Sequence, residues 1–226
     1  MFNSLIKKIR WPIGCLIFFT VSCKNIAAPK PLPSIVEDTF AKKQFIARAF
    51  TQIAFAEKLI HSGDLITRTG NDFTSQSLKK LNRRNKTFSH CGIASIEQDT
   101  VFIYHALGGE WNPDQKIRRD AFEIFAEPYS NNQIGIFRFA VSDTIQKKII
   151  TVTKEFYNKG IMFDMDFDLK TDDRMYCAEF VYKSMAKASG GKLVFPLSHI
   201  NHFEFIGVDD IFLHPLCHKQ YVLTYK

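Results

Sequence analysis

The sequence lacks a low-complexity tract and an internal repeat, and no two of its five cysteines have CxxC spacing. The missing CxxC spacing argues against a zinc ribbon and against a thioredoxin-like redox site. Without repeats, and with 46% hydrophobic and 23% charged residues, the composition is typical of a globular protein. The 226 residues suffice for one domain of ordinary size and a leader.

Residues 1–22 have the pattern of a signal peptide. Three basic residues precede a short apolar run, Ile13 to Val21. That run is about half of the ~20 residues that a bilayer span requires, so it predicts an export signal rather than a permanent anchor. Removing the signal takes three of the 30 basic residues and none of the 23 acidic ones, which lowers the formal charge from +7 to +4. This mild positive balance suits an anionic envelope surface or acidic substrates.

The end of the predicted signal is similar to a bacterial lipobox. In Thr20-Val21-Ser22-Cys23 a small residue precedes a cysteine, so Cys23 is the predicted lipidation site. Plain secretion with cleavage after Ser22 or Ala28 is the alternative. Residues 23–33 are proline-rich and predict an extended tether. We therefore expect an exported protein of the periplasm or cell envelope, with the bacterial membrane as a partner through a lipid anchor.

The hydrophobic pattern after the tether predicts a helix and then an α+β domain. Residues 34–61 are assigned to the helix, because apolar residues recur there at three- and four-residue steps. Residues 62–226 are assigned to the domain. Its predicted strands cover residues 64–68, 90–96, 101–106, 134–139 and 221–224, and its predicted helices begin at Ser142 and near Cys177. Because short turns join strands and helices stay separate, we expect a mainly antiparallel sheet with packed helices.

Cys177 is the strongest candidate for chemistry. It follows a polar loop and begins a run compatible with a helix. A thiol at a helix N-terminus lies at the positive end of the helix dipole, which favours the thiolate, and the free N–H groups there can hold an oxyanion. A disulfide from Cys177 to Cys91 or Cys217 is the alternative. With Cys23 lipidated, however, three thiols remain and at least one must be free.

Two histidines lie at neighbouring ends of two predicted strands. His90 begins one strand and His105 ends the next, so an antiparallel hairpin brings them together. One imidazole can then accept a thiol proton while the other orients it. A zinc site that adds Cys91 and Cys177 is the alternative. It is disfavoured because the adjacent residues His90 and Cys91 point to opposite faces of a strand.

Two charged clusters were candidates for a cation and for a nucleic acid. The carboxylates in residues 164–168 resemble a calcium ladder, but they lack the Gly and the terminal Glu of an EF-hand loop. The basic cluster at residues 83–86 has no interleaved aromatic residue, which predicts a solvated loop. We expect neither a metal or organic cofactor nor a nucleic-acid partner.

Several stretches follow one another in a characteristic order. They are SGDLI at 62–66, SHCGI at 89–93, YHA at 104–106, FDMDFD at 163–168 with YCAE at 176–179, and GVDDI at 207–211. In this order they resemble the permuted papain-like amidases of the YiiX/YebB type. Those are relatives of bacterial cell-wall cysteine peptidases and of the lecithin retinol acyltransferase group. The resemblance covers about residues 62–214 and implies a circularly permuted papain-like fold.

By position, the resemblance implies that Cys177 is the nucleophile and His90 the general base. His105 takes the third, polar position, where many permuted members have Glu and cell-wall relatives often have His. Tyr176, Glu179 and Asp166 are assigned to the substrate pocket.

The resemblance implies an amidase or peptidase acting on cell-wall peptides, or on the amides of N-acyl amino acids and lipids. Acyl transfer to an acceptor other than water and a non-catalytic binding lipoprotein are the alternatives.

Overall fold

The computed structural model of the chain describes residues 35–109 and 112–225. The predicted signal peptide, the tether and the lipidation site Cys23 lie outside these residues. Among the described helices, none is both long enough and apolar enough to span a bilayer.

The described part alternates strands and helices along most of its length. The helices are α1 (Ile35–Glu57), α2 (Phe73–Lys79), α3 (Phe122–Phe125), α4 (Asp143–Lys159), α5 (Cys177–Ala188) and α6 (Val208–Phe212). The strands are β1 (Leu65–Gly70), β2 (His90–Glu97), β3 (Thr100–His105), β4 (Arg118–Ala121), β5 (Asn131–Phe139), β6 (Ser198–Ile200), β7 (Phe203–Phe205) and β8 (Cys217–Thr224).

Six of these strands form one antiparallel sheet in the order β4-β3-β2-β1-β5-β8, and β6 and β7 form a separate hairpin. Cys91 of β2 lies opposite Thr67 of β1, and Ile93 lies opposite Tyr104 of β3. The predicted α+β class, the mainly antiparallel sheet and the packed helices are confirmed.

Helices cover both faces of the sheet, so its strands bury both sets of alternating side chains. Leu65 and Ile93 pack with α4, α5 and α6 on one face. Their neighbours Ile66 and Ala94 pack with α1 and α3 on the other face. Successive strand residues point to opposite faces, which explains why two apolar layers can follow from one strand sequence.

The connections depart most from the predicted structure. Residues 70–87, where the sequence predicted no element, contain α2, whose N-cap Asp72 accepts a hydrogen bond from the Ser75 amide at 2.9 Å. Residues 107–133, where no element was predicted, contain β4 and α3. The last strand also begins at Cys217 rather than Tyr221, and α1 ends at Glu57.

Candidate active site

Cys177 is the first residue of α5 and is buried where this helix packs on β2. A hydrogen bond from the Cys91 side chain lowers the pKa of the Cys177 thiol. Burial opposes this effect, but the backbone N–H groups of Cys91 and Ala178 and the positive charge of Arg68 also lower the pKa. Burial raises the pKa of Cys91 well above its usual value, so Cys177 is the thiol of this pair that ionises.

The start of α5 is held in place by a buried carboxylate. The Tyr176 amide, which precedes the helix, donates a hydrogen bond to Glu179 Oε2 at 3.2 Å. Lys183 Nζ lies 2.9 Å from Glu179 Oε1. Burial raises the pKa of Glu179 to about 7 although Lys183 opposes the shift. Glu179 therefore fixes the helix end that carries Cys177.

His90 and His105 meet as predicted from their strands. His90 Nε2 and His105 Nδ1 are 2.8 Å apart, and both rings pack near Phe125 of α3. Gly92 makes room for this arrangement, because a Cβ there would lie 2.9 Å from the His105 Cβ and 2.6 Å from the Tyr104 carbonyl oxygen.

A carboxylate that was not predicted from the sequence binds the pair of histidines. Asp120 Oδ2 lies 3.0 Å from His105 Nε2, and Arg118 also binds Asp120. Burial raises the pKa of Asp120, but hydrogen bonds from His105 and Arg118 outweigh burial and lower it to about 2. The ionised carboxylate requires His105 to carry its proton on Nε2.

The position of the proton on His105 determines the position of the proton on His90. With its proton on Nε2, His105 accepts at Nδ1, so His90 must donate from Nε2. Nδ1 of His90 is then a free acceptor without a hydrogen-bond partner among the described residues. The ordered chain Asp120–His105–His90 therefore presents one basic nitrogen.

Both imidazoles are neutral at ordinary pH. Burial lowers the pKa of His90 well below its usual value, and the positive charge of Arg68 lowers it further. Burial likewise lowers the pKa of His105 to about 4, although its bond to Asp120 opposes the shift. Neutral imidazole is the form that can accept a proton.

Arg68 is a second residue that the sequence did not single out. It lies opposite His90 in the β1–β2 ladder and donates from Nη1 to the Phe125 carbonyl oxygen at 3.0 Å. Its guanidinium carbon lies 4.7 Å from the centre of the Phe125 ring. This half-buried cation disfavours imidazolium and favours the Cys177 thiolate.

Cys177 and His90 line the same pocket, which has a volume of about 50 Å³. In the described structure the Cys177 sulfur accepts a hydrogen bond from the Cys91 thiol, and no hydrogen bond joins the Cys177 sulfur to either imidazole. Catalytic hydrogen bonds are often long before substrate binds and tighten afterwards.

Three other residues were assigned to the pocket from sequence, and the structure places one of them in its lining. Tyr176 lines the pocket. Glu179 does not line it, because its side chain is buried beneath the start of α5. Asp166 does not line it either and is exposed on its loop, where its amide donates to Asp164 Oδ1. Asp164 also accepts from the Asp168 amide, so it orders the loop.

The arrangement of the cysteines, histidines and acidic residues bears on the disulfide and metal alternatives. Cys91, Cys177 and Cys217 are free thiols. Within residues 35–109 and 112–225, no group of three or more His, Cys, Asp or Glu side chains is arranged to hold a metal ion. His90 and His105 instead share their facing nitrogens in one hydrogen bond.

Comparison with known proteins identifies a solved structure with the same fold. No family model matches the chain, and no curated protein matches it. The crystal structure of the metalloprotein YiiX from Escherichia coli O157:H7 matches with a TM-score of 0.57 over 74% of this chain and 97% of that protein. The two sequences are 16% identical over the match. The chain therefore shares the fold of YiiX, as its resemblance to the YiiX type predicted.

Proposed function

We propose that the protein is an exported, thiol-dependent amide hydrolase with a circularly permuted papain-like fold. One observation carries the proposal: a cysteine whose pKa is lowered shares a pocket with a neutral histidine that an ordered His–Asp pair orients. A nucleophile, a base and an orienting group are the components of acyl-transfer catalysis by cysteine and serine enzymes.

The order of the elements supports the permuted form of that fold. Cys177 begins a helix packed on an antiparallel sheet, and the histidines lie on strands that precede the helix in the chain. Export and membrane anchoring are proposed from the N-terminal sequence alone.

In the first half of the proposed reaction, His90 Nδ1 accepts the proton of the Cys177 thiol. The sulfur attacks the amide carbonyl carbon, and the oxyanion binds N–H groups in the first turn of α5, among them that of Cys177. The C–N bond breaks as His90 returns the proton to the leaving amine. A thioester between the acyl group and Cys177 remains.

The second half releases the acyl group. His90 accepts a proton from water, whose oxygen attacks the thioester carbonyl carbon. The carbon–sulfur bond breaks, the product leaves as a carboxylic acid, and Cys177 recovers its thiol. His105 and Asp120 keep Nδ1 of His90 as the acceptor in both halves. The proposed substrates are amides in cell-wall peptides or in N-acyl amino acids and lipids.

No step of this reaction is assigned to a metal. YiiX is called a metalloprotein, but the acidic, thiol and imidazole groups in the described part of this chain do not fit a metal site.

The proposal is tested by incubating the purified full-length chain with muropeptides and N-acyl amino acids and analysing products by mass spectrometry. We expect amide cleavage and a Cys177-bound acyl group, both lost in Cys177→Ser. The control Cys217→Ser removes a free thiol outside the pocket and should cleave normally. Cleavage that survives in Cys177→Ser would contradict the proposal. Added amine or alcohol acceptors would reveal transfer in place of hydrolysis.

A further inference from the structure

The Cys177 pocket indicates what kind of acyl group the protein accepts. We infer that it binds a short, uncharged, apolar acyl group and rejects acyl groups that carry a carboxylate near the scissile amide. This inference rests on the proposed function, because it concerns the same nucleophile.

The lining of the pocket contains no Asp, Glu, Lys or Arg among its described residues. Its apolar walls come from α2, the loop after β3, the loop before α5, and the segment from β7 to α6. The larger side chains of these walls include Leu78, Leu81, Phe163, Phe167, Ile206 and Val208. A carboxylate placed among these side chains would lose its hydration, and no Lys or Arg of the described lining would pair with it.

Apart from Cys177 and His90, the polar side chains in the lining make hydrogen bonds within the protein. Ser89 Oγ accepts from the Gly70 amide at 3.1 Å, and the Tyr176 hydroxyl accepts from the Ile206 amide at 2.8 Å. Asn82 donates to the Phe88 carbonyl oxygen at 2.6 Å. These internal bonds leave the pocket suited to an apolar ligand, with Cys177 and His90 as its reactive groups.

The size of the pocket limits the acyl chain. A volume of about 50 Å³ has room for about three to five groups the size of a water, since each needs ~10–15 Å³ by the same measure. Phe163 closes one side tightly, since a Cβ on Gly108 would lie 2.4 Å from its ring. Acyl groups of about two to four carbons therefore fit with small adjustments of the walls.

The acyl group, rather than the amine, belongs in this pocket. In the proposed reaction the amine leaves while the acyl group is still bound to Cys177. A narrow, walled pocket suits the part that stays, because the amine needs a path to solvent before water can attack.

A matched pair of substrates tests the inference. Butyryl and succinyl anilides have the same number of acyl carbons, but the succinyl group ends in a carboxylate. We expect kcat/KM to be at least ~100-fold higher for butyryl anilide, which corresponds to about 2.7 kcal/mol. Equal rates, or a preference for succinyl anilide, would overturn the inference while leaving Cys177-dependent hydrolysis intact.

A wall variant tests whether the pocket sets chain length. Leu81 lines the pocket and is 36% exposed, whereas Leu213 is 38% exposed and outside the lining. Leu81→Ala should raise the ratio of hexanoyl to butyryl anilide cleavage at least ~threefold, and Leu213→Ala should leave it unchanged. The same ratio in Leu81→Ala and the native chain would contradict the assignment.

The rate of Cys177 alkylation tests the same preference without requiring substrate hydrolysis. 1-Chloro-2-pentanone is neutral and 5-chloro-4-oxopentanoate is an anion. Both alkylate thiols, and in both the chain on the carbonyl carbon stands for the acyl group. After division by their rates with glutathione, the neutral probe should label Cys177 at least ~tenfold faster. Equal corrected rates would overturn the inference about the acyl group. If His90→Gln did not slow labelling by the neutral probe, the proposed function would fail instead.

Discussion

The two sides of the Cys177 pocket are built differently. One side, here the base side, is formed by His90, which lines the pocket, and by Arg68, His105 and Asp120, which lie outside the lining on β1, β3 and β4. The other, here the apolar wall, comes from α2, the β7–α6 segment and the loop before α5. The base side is fixed by strand pairing and a continuous hydrogen-bond chain, whereas the wall is mostly apolar packing on short elements. Chemistry and selectivity should therefore respond to different substitutions.

The largest expected effect comes from removing the basic nitrogen on the base side. His90→Gln should lower kcat for amide hydrolysis by ~10²- to 10⁴-fold, since general-base catalysis contributes about that much. The wall variant Leu81→Ala serves as the comparison, because it should change the preferred acyl length and keep most of the rate. Steady-state kinetics on one short-chain anilide measures both. A similar loss of rate in the two variants would remove the distinction between the sides.

A smaller loss is expected from Asp120→Asn. An amide N–H in place of the carboxylate can turn the proton of His105 to Nδ1, so that His90 loses its acceptor. We expect kcat to fall on the order of 10- to 10³-fold, with partial recovery in Asp120→Glu. The folded stability at the assay temperature, measured by thermal unfolding, is the control. Native-like kcat in stable Asp120→Asn would show that the chain does not orient His90.

The buried histidines also predict how stability depends on pH. The folded-state pKa of His105, about 4, lies below its unfolded value of ~6.5. The unfolded chain therefore binds more protons between these values, and stability falls as pH decreases from about 6.5 to 4.

The contribution of Glu179 to stability changes with pH in the opposite direction in part of this range, because its folded-state pKa is raised to about 7. Its contribution cancels when His105→Gln is compared with the native chain. The free energy of unfolding, measured by urea titration from pH 7 to 4, should decline less in His105→Gln. Parallel curves for the two proteins would contradict buried, neutral His105.

The smallest expected effect concerns the contact between two thiols. Cys91→Ala should raise the pKa of Cys177, because it removes the side-chain hydrogen bond that lowers it. Cys91→Ser keeps a donor and should have a smaller effect. The pH dependence of Cys177 alkylation measures the shift, and identical midpoints in Cys91→Ala and the native chain would show that the contact has no influence on ionisation.

The sequence was sufficient for the parts of the site that lie on strongly patterned elements. Two strand-like segments joined by a short turn, now β2 and β3, predicted a hairpin, and the hairpin brought His90 and His105 together. The helix-compatible run at Cys177 predicted the start of α5. In both cases the pattern fixes which end of an element carries the reactive side chain.

The missed residues depend on register between segments distant in sequence. Asp120 lies on β4, whose Arg-Arg-Asp-Ala sequence has no apolar alternation, and it reaches His105 diagonally because Arg118 pairs opposite that histidine. Arg68 was read only as a strand end. The helices α3 and α6 and the strands β6 and β7 each span five residues or fewer, which is too short to establish a period.

The central claim is that Cys177 is an activated nucleophile served by His90. Its most direct test is the rate of iodoacetamide alkylation of Cys177 from pH 5 to 10 in the full-length chain, resolved by peptide mapping, with Cys217 as the internal reference. We expect Cys177 to react faster than Cys217 at pH 7, with a midpoint below the ~8.5 of an ordinary thiol, and we expect His90→Gln to slow the reaction. A midpoint at or above that of a free thiol, unchanged in His90→Gln, would show that Cys177 is not activated.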